Sequence, residues 1–181
     1  QFSGLGRGAR FLKLNRAPLF QRKLTYALTF FWIFITRSVN VVICALILVM
    51  NADILTTLNL HSFIEADLHH VAKYPNCVAT LAVTNRTSSR NLLFGDQQQL
   101  VGWCNNTTQE FKWVESEWSE YTPKAFSGIQ IIHDNYFKHI KLSGKFSLID
   151  AYLSFGLSMP ILSYDHSQDI LLDVGKPENV E

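Results

Sequence analysis

The sequence predicts an α/β domain built on a mostly parallel sheet with one antiparallel hairpin. Three observations carry this. Apolar runs of strand length alternate with segments of helical periodicity, the order that crossover connections produce. One run, residues 41–50, is continuously apolar and ends in Asn51-Ala52-Asp53, as a central strand covered on both faces does. Hydrophobic residues make up 48% of the 181 positions and charged residues 17%, which supports one packed domain and excludes a disordered chain or a coiled coil.

Taken in order, the strand over 41–50 is followed by a helix over 61–73, where Phe63, Ile64, Leu68 and Val71 recur near helical spacing. Tyr74-Pro75-Asn76 ends it. Residues 78–84, VATLAVT, read as a strand. After a polar turn over 85–90, residues 91–94 and 100–104 form a hairpin about Gly95-Asp96. Residues 105–122 are polar and read as irregular chain. Residues 125–132, AFSGIQII, form a strand, and Gly128 inside it marks a bulge or a close approach of backbone or ligand. Short helices follow over 134–140 and 147–155, the second capped by Ser147 with Asp150 in its first turn. Strands over 161–164 and 170–174 lead to Gly175-Lys176-Pro177-Glu178, which opens a last helix. His61, His69 and His70 read as solvated helix residues, since adjacent helical positions point apart.

The first fifty residues differ from the rest. They carry seven of the 16 basic residues and none of the 15 acidic ones, so the two parts have net charges of +7 and −6. Gly4 to Arg10, GLGRGAR, is basic and glycine-rich, but no strand precedes it, and a solvated terminus is the simpler reading than a phosphate loop. Residues 24–50 hold one charge, Arg37, in 27 positions, long enough to span a bilayer after a basic flank. Arg37 near the centre costs about 2.5–3.5 kcal/mol on insertion scales. Residues 24–36 are read equally as membrane helix or buried strand, and 41–50 as strand. The expectation is a cytoplasmic protein with an awkward apolar insert, the alternative a membrane anchor through 24–50. Cys44, Cys77 and Cys104 form neither a disulfide framework nor a Cys-x-x-Cys metal pair, which suits a reducing compartment.

From residue 49 onward the pieces VMNADIL, ATLAVTNRTSSRNLLF, QLVGW, AFSGIQII, GKFSLIDAYLS and LLDVGKPENV, in that order, resemble the second half of bacterial sugar-phosphate nucleotidyltransferases, the group of mannose-1-phosphate guanylyltransferases and muramate-phosphate uridylyltransferases. The resemblance implies a Rossmann-like sheet, incomplete at the N-terminus. Residues 1–40 are then an atypical basic and apolar segment, and 41–181 the C-terminal part of a nucleotidyltransferase-like domain. It also implies that Asp53 and Asp173 hold Mg²⁺ and are catalytic, and that Ser127, Gly128 and Asp150 bind substrate. The implied partners are a nucleoside triphosphate and a sugar 1-phosphate, with no nucleic acid. Trp103 stands where relatives show a Glu-Lys-Pro segment, and the G-x-G-T-R-L nucleotide loop has no counterpart in the chain. The implied role of this chain is therefore the metal- and sugar-binding half.

Overall fold

The computed structural model of the chain describes residues 46–175. Its elements are β1 (Leu46–Met50), β2 (Ile54–Thr56), α1 (Leu60–Lys73), β3 (Ala79–Thr84), β4 (Arg90–Phe94), β5 (Leu100–Asn105), β6 (Glu110–Trp113), β7 (Thr122–His133), α2 (Asp134–His139), α3 (Leu148–Leu153), β8 (Ile161–Asp165) and β9 (Leu171–Asp173). The α/β class agrees with the sequence reading. Segment 24–36, the glycine-rich start and the helix expected after Gly175 lie outside the described residues.

The sheet corrects the expected strand direction. Seven strands run in the order β6-β5-β4-β7-β3-β8, with β1 also paired to β7. Among the described residues only β3 and β8 pair in parallel; every other pairing is antiparallel. The cause is the excursion between β3 and β7. Residues 105–122 are not irregular, because β6 lies within them and completes the meander β4-β5-β6. That meander delivers Thr122 and the first residues of β7 beside the end of β3, where Thr84 pairs with Ala125. The chain must then run back along β3.

β1 is corrected too. It pairs with β7 alone, Leu46 opposite His133 and Met50 opposite Ile129, among the described residues. All five of its residues are only half-buried. Residues 41–45 lie outside the described residues. Because 46–50 are strand, a helix through residue 50 is not formed, and among the described residues no helix is long and apolar enough to cross a membrane.

The central strands β3 and β7 bury both faces. Leu81 and Val83 of β3 pack with Tyr136, Tyr152 and Phe155 from α2, α3 and the residues after α3. Ala82, Ile129 and Ile131 point the other way, onto Phe63 of α1 and Ile54 of β2. The period-two alternation of a pleated strand produces this division. Asn59 caps α1 by accepting from the His61 and Ser62 amides at 3.0 and 3.2 Å. Asp67, on the buried face of α1, meets His133 Nε2 at 2.9 Å at the end of β7. His70 is half-buried, not fully solvated, with Nδ1 3.1 Å from Thr80 Oγ.

β2 and β9 form a separate two-stranded ribbon, Ile54 opposite Asp173 and Thr56 opposite Leu171. Residues 170–174 therefore extend this ribbon and not the main sheet.

Candidate functional site

Asp53 follows β1 after a tight turn, in which the Ile54 amide donates to the Asn51 carbonyl at 3.3 Å. Asp173 ends β9. Ribbon pairing brings the two together: Ile54 lies opposite Asp173, and the Val174 amide donates to the Asp53 carbonyl at 2.8 Å. Their carboxylates converge beside Gly175. A Cβ placed on Gly175 would lie 2.6 Å from Asp53 Oδ2 and 3.2 Å from Asp173 Oδ1. The glycine leaves that space to the two acids. The Gly175 amide donates to Asp173 Oδ1 at 3.2 Å, which orients one of them. Two hard carboxylate oxygens, partly open to solvent, suit a cation such as Mg²⁺ that keeps several waters. Among the described residues no group of three or more His, Cys, Asp or Glu is assembled for a metal.

Gly128 is brought to this end of the molecule. Its φ is +75°, a conformation that side chains with a Cβ rarely adopt, and a Cβ would lie 2.6 Å from Asn51 Nδ2. The Asn51 amide donates to the Gly128 carbonyl at 2.9 Å, so the glycine seats the turn that leads to Asp53. The β3–β7 register shifts between Leu81 and Val83 opposite this stretch, which is the expected bulge.

Two of the implied substrate residues are placed elsewhere or otherwise occupied. Asp150 is not at the site: it pairs with Lys112 of β6 at 2.9 Å, and Lys112 lies over the Trp103 ring. The hydrogen bond to Asp150 raises the Lys112 pKa. α3 packs against β5, and that docking carries Asp150 to the meander edge. Ser127 lies beside Gly128 but is buried, and its hydroxyl meets His166 Nε2 at 2.7 Å. It cannot touch a substrate in this arrangement.

A cleft of about 240 Å³ opens at the same end, lined by Thr84, Asn85, Arg86, Asn91, Asn106 and Ala125 among others. Ala125 is three residues before Gly128 on β7. The Thr84 hydroxyl is buried without a hydrogen-bond partner among the described residues. Arg86 donates to the Phe126 carbonyl at 3.0 Å, and Lys124 pairs with Asp165 and Asn85 nearby. The cleft is thus lined by side-chain amides and one guanidinium, and the Lys124 charge beside it is balanced by Asp165.

Sequence reasoning missed Asn51, Thr84, His166 and Asp169. Asn51 stands in the VMNADIL piece, and a glycine in the strand that pairs with it was the available hint. Thr84 and His166 read as ordinary polar residues until the fold buries them, and Asp169, partly exposed, as a turn residue. No protein-family model matches the chain, and no curated protein matches it.

Proposed function

We propose that the chain supplies the metal- and sugar-binding half of a transferase that moves a nucleotidyl group from a nucleoside triphosphate to a sugar 1-phosphate. The observation that carries this reading is the convergence of Asp53 and Asp173 beside a glycine that leaves them room. In the reaction a sugar-phosphate oxygen attacks the α-phosphorus, the bond to the β-phosphate bridging oxygen breaks, and pyrophosphate leaves. Both reactants are anions, so the work is alignment and charge neutralisation. Mg²⁺ held by Asp53 and Asp173 would supply the neutralising charge on the phosphate oxygens. The Thr84–Asn91 cleft, lined by the amides of Asn85, Asn91 and Asn106, takes the sugar hydroxyls, and Arg86 adds positive charge at its rim. Gly128 holds the backbone of β7 between cleft and carboxylates.

Calorimetry of the full chain with nucleotide sugars, with and without Mg²⁺, tests the reading. Binding should depend on Mg²⁺, and Asp53→Asn or Asp173→Asn should weaken it by about ten-fold or more, the usual scale for lost metal contacts and their supports. Binding indifferent to Mg²⁺, or unmoved by both substitutions, would overturn it.

A further inference from the structure

The ribbon that carries Asp53 and Asp173 is small, and a chain of polar contacts, buried at its Ser127–His166 end, ties it to the main sheet. Ser127 of β7 and His166, just after β8, meet at 2.7 Å with both side chains buried. On its other side His166 Nδ1 lies 3.6 Å from Asp169 Oδ2, a charge contact beyond hydrogen-bond distance, and the His166 carbonyl accepts from the Asp169 amide at 2.9 Å. Asp169 Oδ1 accepts from the Thr57 hydroxyl at 3.5 Å, and the same hydroxyl accepts from the Ile170 amide at 2.9 Å. The Thr57 amide donates to the Ile170 carbonyl at 3.1 Å, which extends the β2–β9 pairing by one rung. The chain thus runs from the residue before Gly128, through one imidazole, to the rung that closes the ribbon.

The nearby carboxylate favours one tautomer of His166. With the proton on Nδ1, toward the Asp169 carboxylate, Nε2 is left as an acceptor for the Ser127 hydroxyl. Ser, His and Asp in this order resemble a nucleophilic triad, but Ser127 is 1% exposed and no substrate can reach it. A buried, oriented imidazole that bridges two elements is instead a support for the groups those elements carry.

We propose that His166 is a positioning residue that locks the Asp53–Asp173 ribbon to β7 through Ser127 and Asp169, and so sets the separation of the two carboxylates. The proposal rests on the metal reading for its consequence and on this chain of polar contacts for its geometry, and the two are tested separately.

The full chain is titrated with Mn²⁺ alone, read by electron paramagnetic resonance, while hydrogen exchange follows the Val174 amide, which donates to Asp53, and the amides of β3. The variants are His166→Phe, His166→Gln, whose amide oxygen can accept from Ser127, and Ser127→Ala. In His166→Phe and Ser127→Ala, Val174 should exchange at least about ten-fold faster with β3 unchanged, and Mn²⁺ affinity should fall by about ten-fold. His166→Gln should recover most of both. Unchanged Val174 protection in Ser127→Ala and His166→Phe overturns the positioning role, whatever the metal does. Faster exchange together with unaltered Mn²⁺ affinity overturns its consequence for the site. Wild-type chain that takes up no Mn²⁺ counts against the metal reading alone, and Val174 then still decides the positioning role. Should His166→Phe fail to fold, Ser127→Ala carries the same outcomes.

Discussion

The main sheet and the β2–β9 ribbon are held by different forces. All six residues of β3 are buried, and its neighbours pack both of its faces. In the ribbon, Leu55, Ile170 and Leu172 are 58%, 60% and 45% exposed, so burial contributes little on that face. Its inner face, Ile54 and Leu171, joins the core beside Ile129 and Ile131, while backbone pairing and the Thr57–Ile170 rung fix its register. The sheet is robust because apolar burial is non-directional. The ribbon holds two carboxylates in a set geometry because hydrogen bonds are directional.

That contrast is broken most strongly in the core. Leu81→Ala, at a fully buried position, should destabilise the domain by about 2–5 kcal/mol, while Leu172→Ala should stay within about 0.5 kcal/mol. Urea unfolding of both variants measures it. A loss at Leu172 as large as that at Leu81 would mean that the ribbon is built like the sheet.

Gly175→Ala sharpens the comparison at the site. The backbone there is not left-handed, so the substitution is not strained by φ, and only the carboxylates stand in the way of the new methyl group. The unfolding midpoint should barely move. Mg²⁺-dependent nucleotide-sugar binding should fall by about ten-fold, because Asp53 and Asp173 are pushed off their positions. An intact titration alongside normal stability would show that the space beside Gly175 is not the cation site.

The smallest effect concerns pH and compares the two regions through their histidines. Burial lowers the pKa of His70, against Asp67, and that of His166, against Asp169 and Asp165, both below the ordinary 6.5. His69 and Lys73 push His70 further down. A lowered folded value means that below 6.5 the unfolded chain binds more protons than the folded one. Stability should therefore fall as pH drops from 6.5 to the folded values, and the histidine contribution should level off below them. Urea midpoints at about pH 7.5 and about pH 5.5 check the sign, and a midpoint that rises on acidification would refute it.

Local pattern was enough for most elements. Apolar runs marked β3, β5, β7 and β8 because a pleated strand needs β-branched or aliphatic residues on a covered face. Helical spacing and the Tyr74-Pro75-Asn76 stop delimited α1 to within a residue. Gly128 was legible as a special backbone position, since a lone glycine within an apolar strand has little other use. The pairing of Asp53 with Asp173 came only through the resemblance, because 120 positions separate them and no periodicity links them.

Strand direction was not legible. The same apolar run serves a parallel or an antiparallel neighbour, and the choice followed from where the β4-β5-β6 meander returns the chain. Nor could β6 be read, since Glu110–Trp113 lies on an exposed edge where no buried face imposes alternation. Asp150 went to Lys112 because α3 docks on β5, a decision of packing between distant segments. His166 gained its place only when β8, β7 and the ribbon came together. Covalent neighbours set backbone preference and hydrophobic period, and those the one-dimensional order records. Which polar groups meet, and which are left to hold a ligand, depends on how separate segments close on one another, and that is decided by the free energy of the whole packed chain.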